Sequence, residues 1–241
     1  MTGYQPREFW DRRLSEQFDL RGTGETGLSL AYNRACYALR HDVLERALRV
    51  AGFDPAGQRV LDVGCGTGFF TAYYLARGAR VTGVDIAPTS IERLRARHPE
   101  ATFVQGDVSE GVPGGPYQLV NAFDVLYHIT DDGRWERALA GLAGALVSGG
   151  LLLVTDAFAP LAGAASHNRM RPLATYRAVL ERNGMRTEAL HPTHVLLNRE
   201  LGPFRFLNRL PGLLLAVDRA VLALRPAPGV AVNKLLVARR G

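Results

Sequence analysis

The chain has 241 residues and a net charge of +6, with 47% apolar and 22% charged residues. That length holds one substantial domain with an attached cap, and the composition excludes a disordered or fibrous chain. Cys36 and Cys65 are the only cysteines, which excludes a disulfide framework and a four-cysteine zinc site; both thiols read as reduced, as in a cytoplasmic protein.

The opening residues, MTGYQPREFWDRRL, lack the basic-then-apolar order of a secretory signal. The apolar run from Gly212 to Val217 is far below the ~20 residues of a membrane span, so the chain reads as soluble. Of the 29 basic residues, only Lys234 is a lysine. This bias fits the codon usage of a GC-rich genome and says little about partners. Residues 199–241 hold eight basic and two acidic residues, hence the whole net +6, and the remainder is neutral. Any pull on an anionic ligand or surface belongs to that segment.

Residues 1–52 carry helical signals and no strand signal, and read as an N-terminal helical cap. Leu44, Ala47, Leu48 and Ala51 form one apolar stripe at i, i+3, i+4, i+7. The connection Arg21-Gly22-Thr23-Gly24-Glu25-Thr26-Gly27 holds three glycines and reads as a flexible hinge for a mobile lid. From 53 to 241 short apolar runs alternate with helical stretches, the pattern of βαβ units. Strands are predicted at Arg59–Val63, Arg80–Asp85, Thr102–Gln105, Gln118–Phe123, Leu151–Asp156, Thr187–Leu197 and Val230–Ala238. The fold class is therefore α/β, a Rossmann-like, mostly parallel seven-stranded sheet with helices on both faces.

The clearest helix starts at the N-cap pair Asp131-Asp132. It carries Trp135, Ala138, Leu139, Leu142 and Leu146 on one face and is expected to end at Ser148-Gly149-Gly150. Residues 199–229 form an insertion before the last strand. Leu213, Leu214, Val217, Val221 and Leu224 predict an amphipathic helix there. This segment is suited to building a pocket wall, to pairing two copies in a homodimer, or to touching a lipid surface.

The strongest signal is Val60-Leu61-Asp62-Val63-Gly64-Cys65-Gly66-Thr67-Gly68-Phe69-Phe70. A buried strand runs into a glycine turn that opens a helix, where backbone can approach a ligand closely. The glycines are spaced G-x-G-x-G, and Phe69 stands where a dinucleotide fingerprint carries its third glycine. Asp62 would repel a pyrophosphate and favour a cation, so a cationic cofactor fits better than a dinucleotide.

With this turn the chain resembles the class I S-adenosylmethionine-dependent methyltransferases, from Arg59 to Asp156 and more loosely in the final strands. Further elements follow in the family's order: Val84-Asp85-Ile86, Gln105-Gly106-Asp107-Val108, Asn121-Ala122-Phe123-Asp124-Val125-Leu126-Tyr127-His128 and Gly149-Gly150-Leu151-Leu152-Leu153-Val154. The resemblance implies S-adenosylmethionine as cofactor. It implies cofactor contacts from Asp62, Gly64, Cys65, Gly66, Thr67, Gly68, Val108, Ala122 and Phe123, from Asp85 to the ribose hydroxyls, and from Ile86 on adenine. Asp107 would meet the adenine amino group. Cys65 reads as a packing residue.

Several branches of the family are excluded by missing motifs. There is no N-P-P-Y segment, no catalytic cysteine after the fourth strand, no Asp-Asn pair after the fifth and no double-glutamate loop. What remains is the small-molecule branch, metal-independent, with O-methylation placed ahead of N- or C-methylation; composition alone suggests bacterial secondary metabolism. No nucleic-acid partner is expected.

His128, just past the fourth strand, is the candidate general base, or else packs beneath the cofactor. His167 and Arg169 are candidates for the acceptor pocket. Tyr32 and Tyr37, in the cap, are candidates for closing an aromatic ring over cofactor or substrate. Two alternatives remain: an RNA or protein methyltransferase docking through the basic C-terminal segment, and an S-adenosylmethionine-binding protein that transfers no methyl group.

Overall fold

The computed structural model describes residues 4–159, 165–198, 201–224 and 226–241. Two helices come first, α1 (Pro6–Glu16) and α2 (Leu30–Val50). The alternating part follows as β1 (Arg59–Val63), α3 (Phe69–Ala76), β2 (Arg80–Asp85), α4 (Pro88–Arg97), β3 (Thr102–Gln105) and β4 (Tyr117–Ala122). It continues through α5 (Asp132–Gly144), β5 (Leu146–Asp156), α6 (Leu173–Arg182), β6 (Met185–Pro192), α7 (Pro211–Ala223) and β7 (Lys234–Arg240).

The seven strands form one sheet in the order β3-β2-β1-β4-β5-β7-β6. β1 pairs in parallel with β2 and β4, β2 with β3, and β4 with β5, while β7 runs antiparallel between β5 and β6. The chain leaves β1 toward β3 and returns at β4, so the strand order reverses between β1 and β4. In such sheets a crevice opens there, beyond the carboxyl ends of the strands.

Alternation along the strands builds the two halves of the core. Val60, Leu119, Leu151, Leu153, Leu235 and Val237 face one side, against Leu39, Val43, Leu44, Ala47 and Leu48 of α2 and Leu214 and Leu222 of α7. Leu61, Val120, Leu152, Val154, Leu236 and Ala238 face the other, against Trp135, Ala138, Leu139 and Leu142 of α5 and Tyr176, Val179 and Leu180 of α6. The predicted stripe on α2 is thus a packing face.

The first three strands lie at their predicted bounds. β4 starts one residue early, at Tyr117, and stops at Ala122, leaving Phe123 beyond the sheet. The α5 helix begins as expected, with the Asp131 side chain accepting from the Arg134 amide at 2.7 Å, but it ends at Gly144. Leu146 is buried as the first residue of β5, paired with Tyr117 across an irregular register. Its helical spacing misled because a buried strand residue satisfies the same apolar pattern. β6 spans 185–192, not 187–197: beyond Pro192 the chain turns to the buried Asp218 carboxylate of α7, which accepts from the Leu196 and Leu197 amides at 2.7 and 3.0 Å. β7 begins at Lys234, after a 3-10 turn at Pro228–Val230.

The 21–27 connection is pinned. Arg13 Nε donates to the Gly22 carbonyl at 2.7 Å and its Nη2 donates to Gly24. The buried Asn33 accepts from the Glu25 amide at 2.8 Å and donates to the Glu25 carbonyl at 3.0 Å. A Cβ on Gly22 would lie 2.0 Å from the Gln17 carbonyl oxygen, and one on Gly24 2.2 Å from Asn33 Oδ1. These two glycines serve close packing between α1 and α2, not the flexibility expected of them.

Candidate active site

A cavity of about 330 Å³ lies at the carboxyl ends of β1, β2, β3 and β4, beneath α1. Its floor is the turn between β1 and α3. Gly64, Gly66 and Gly68 take φ of +63°, +52° and +84°, a left-handed run that only glycine adopts cheaply. A Cβ on Gly64 would stand 2.4 Å from Val125 and one on Gly66 2.7 Å from Thr23, so side chains here would fill the cradle. Gly68 caps α3 and packs against Leu94, outside the cavity lining.

Asp85 ends β2 with its carboxylate buried. It accepts from the Gly66 amide at 2.8 Å and from the Ala87 amide at 2.9 Å. Burial pushes its carboxyl above the ordinary range, and these amides pull against that. Ile86, Asp107 and Val108 continue the wall. Asp107 accepts from Ser109 Oγ at 2.6 Å and from Arg134 Nη2 of α5 at 2.7 Å. Cys65 also lines the cavity; burial holds its thiol well above the usual range, so it is a packing residue and not a nucleophile.

Asp62 is not at the cavity surface. Its oxygens accept from Thr71 Oγ1 at 2.7 Å and Asn121 Nδ2 at 2.9 Å, below the turn, and burial raises its carboxyl to about 6. Its part is to hold the turn onto α3 and β4. Ala122 likewise faces the core, leaving Phe123 at the cavity. These two predicted contacts are corrected for one reason: alternation along a strand sends neighbouring side chains to opposite faces.

The roof comes from the N-terminal helices. Tyr4, Pro6, Trp10 and Leu14 cover the cavity along α1, joined by Thr23 and Tyr37. Tyr37 donates to Thr23 Oγ1 at 2.7 Å and meets Phe69 edge-on at 4.8 Å. Tyr32, its companion in the prediction, points elsewhere: it is fully buried and its hydroxyl accepts from the Asn198 amide at 2.9 Å. Five residues apart on a helix, the two rings stand about 140° apart, so only one can face the site.

His128 lines the cavity with its ring 4.8 Å from Trp10, edge-on. Its Nδ1 lies 3.3 Å from the His167 carbonyl oxygen. A carbonyl only accepts, so Nδ1 carries the proton and Nε2 keeps its lone pair. Burial lowers the imidazole to about 4, so it is neutral near pH 7. His167 stacks on His128 at 5.6 Å and lies tilted by 30° against Phe9 at 4.8 Å, as a layer behind the lining. Arg169 turns to an exposed ion pair with Asp132, and its amide donates to the Tyr127 carbonyl at 2.7 Å, so its side chain is outside the cavity lining.

Sequence reasoning missed Trp10, Asp124 and Arg134. The spacing of Pro6, Trp10 and Leu14, four residues apart, was the available signal for the roof. Asp124, at φ +57°, pairs with the buried Arg40 at 2.7 Å and accepts from Thr155 Oγ1 at 2.9 Å. The lining carries four carboxylates (Asp85, Asp107, Asp124 and Asp131) against one arginine, Arg134. Among the described residues, no group of three or more His, Cys, Asp or Glu side chains is arranged to hold a metal ion.

Residues 60–150 match the family model described as a methyltransferase domain. A malonyl-[acyl-carrier protein] O-methyltransferase of Serratia marcescens is 40% identical over 76 residues, 32% of this chain and 29% of the relative. The chain spans less than half the length of the curated relatives it matches. Among solved structures, magnesium protoporphyrin IX methyltransferase from Synechocystis PCC 6803 with bound SAM superposes with a TM-score of 0.67 at 18% identity, over 100% of both chains. The N-methyltransferase NodS from Bradyrhizobium japonicum WM9 with S-adenosyl-L-homocysteine gives 0.65 at 17%, over 99% of both. Residues 60–150 thus match a methyltransferase domain, on a fold that methyltransferases solved with bound SAM or S-adenosyl-L-homocysteine share along the whole length of the chain.

Proposed function

We propose that this chain binds S-adenosylmethionine in the cavity under α1 and methylates a small-molecule acceptor at oxygen. The observation that carries the reading is the lining: of four carboxylates around a glycine cradle, Asp107 is paired with Arg134 and Asp124 with Arg40, and Asp85 and Asp131 have no ion-pair partner among the described residues. That charge balance suits a cationic ligand and opposes a pyrophosphate. When bound, the cofactor supplies an electrophilic methyl group on a sulfonium. Asp85 would accept from the ribose hydroxyls through lone pairs its two amide donors leave free, and Ile86 and Val108 would flank the adenine.

The chain's own contribution is position and exclusion of water. Trp10, Leu14 and Tyr37 wall off solvent from above. His128 presents Nε2 as a neutral acceptor, yet an imidazole held at about 4 is a weak proton store. Deprotonating a phenol-like hydroxyl of pKa ~10 beforehand would cost about 8 kcal/mol across six units. His128 therefore orients the acceptor hydroxyl and takes its proton as the new O–C bond makes that proton acidic.

Oxygen as the acceptor atom is supported by the Serratia marcescens relative's O-methyltransferase activity. The missing macromolecule motifs support a small acceptor. The arginine-for-lysine bias supports secondary metabolism of a GC-rich bacterium.

The test uses S-adenosylmethionine carrying a deuterated methyl group. Calorimetry first measures binding; the protein and labelled cofactor are then added to bacterial extract, and metabolites are separated from macromolecules. A mass shift in a small hydroxyl compound supports the proposal. Label confined to RNA or protein, or no cofactor binding, overturns it.

A further inference from the structure

Helix α7 is apolar on both sides. Leu214, Asp218 and Leu222 turn inward and are buried. Its inner side is tied to α2 by Arg46 Nη1, which donates to the Leu222 carbonyl at 2.8 Å, and by the Arg219–Asp42 ion pair at 2.7 Å. The outward side should then be polar, as on an ordinary surface helix. Instead Leu213 and Val217 lie there, with Leu224 beyond the helix end at 82% exposure. The preceding 3-10 segment, Gly202–Arg209, adds Phe204 and Phe206, each more than half exposed, and Leu210 follows them. A run of large apolar side chains held in water this way marks a surface with a partner.

Arg205 and Arg209 stand among these side chains. Among the described residues, neither has a carboxylate within ion-pair reach. They belong to the stretch, 199–241, that holds the chain's whole net charge of +6. We infer that the outward face of 204–224 docks flat on an anionic lipid surface, its apolar side chains entering the headgroup boundary and its arginines meeting lipid phosphates. Charge decides between the occupants. A second copy paired across a twofold axis would set this arginine-bearing face against an identical one, with like charge on both sides. Nucleic acid would satisfy the arginines but leave Leu210, Leu213, Val217 and Leu224 in water, since bases stack on aromatic rings and not on aliphatic chains. An anionic bilayer satisfies both parts of the surface. Among the described residues, no helix is long and apolar enough to cross a membrane, so the contact lies in the interface plane.

The experiment is co-sedimentation of the full chain with vesicles of one part phosphatidylglycerol to two parts phosphatidylcholine, and with phosphatidylcholine alone. Partition should be markedly stronger on the anionic vesicles and should fall when salt rises from about 0.1 to about 0.5 M. Arg205→Glu with Arg209→Glu should weaken it by at least about twenty-five-fold, at roughly fivefold per arginine. Leu213→Glu with Val217→Glu should weaken it at least about tenfold. Both pairs lie on the surface, and unchanged circular dichroism confirms that each variant folds. Equal partition on both vesicle types overturns the inference, as does partition unaffected by both variant pairs. Dimerisation through this face in light scattering overturns it, and so does binding of a single-stranded RNA while vesicles stay unbound.

Discussion

On the floor of the cavity, Asp85 is gripped by two backbone amides at 2.8 and 2.9 Å, while on the roof Trp10 meets His128 only through ring edges at 4.8 Å. The floor is built from chain neighbours: Gly66 and Asp85 lie on successive βα units, and β1 and β2 pair in parallel beside them. The roof brings together α1 and the segment after β4, more than a hundred residues apart in sequence. Directional hydrogen bonds hold the first at the ligand-facing atoms, whereas the second is anchored at its rim, by Arg13 on the Gly22 carbonyl and by the Thr89 amide on Asp11, and meets the cavity through ring contacts.

The two sides also respond to pH with opposite sign, and this gives the largest expected effect. His128 is lowered from 6.5 to about 4, so its contribution to stability is full above pH 6.5 and is lost as pH falls toward 4. Asp62 is raised from 3.8 to about 6, so its contribution is present below pH 3.8 and is lost as pH rises through 6. Each works at about 1.4 kcal/mol per pH unit, on the order of 3 kcal/mol across its window. In urea unfolding between pH 4 and 7, His128→Gln should flatten the acid-side loss and Asp62→Asn should steepen it. The same slope in both variants would break the contrast.

Asp85→Ala should lower S-adenosylmethionine affinity by about 1–3 kcal/mol, because the Gly66 and Ala87 amides lose their acceptor along with the ribose contact. Unchanged affinity by calorimetry would remove the floor assignment. Trp10→Ala should cost about 1 kcal/mol in the same titration, with little change in melting temperature, since the ring covers the cavity more than it fills the core. A large loss of stability with intact affinity would make the roof a structural element only. Tyr32→Phe should leave cofactor affinity untouched and cost up to about 1 kcal/mol of stability, by stranding the Asn198 amide. A drop in affinity there would return Tyr32 to the site.

Much of the floor was legible because its demands are local. Three glycines at alternate positions after an apolar strand take left-handed backbone, and Asp85 closes β2 while Asp107 follows the end of β3 by two residues, at the same sheet edge. The errors came where a residue type suits two settings. Asp62 carries the charge for a cationic ligand, yet its place in β1 turns it under the cradle to Thr71 and Asn121. Arg169 is as basic as a substrate-binding arginine, and Asp132 claims it. Gly22 and Gly24 resembled parts of a hinge and stand at close contacts instead.

By itself the sequence determined the strand–turn–helix grammar, the family resemblance and the concentration of positive charge beyond residue 199, since backbone geometry and charge are properties of short stretches of chain. Only the tertiary structure decided that Tyr37 and not Tyr32 faces the cavity, that α1 roofs it beside a neutral His128, and that the outer face of α7 is left bare. Those outcomes depend on which distant surfaces pack together, and many side-chain patterns satisfy the same local rules.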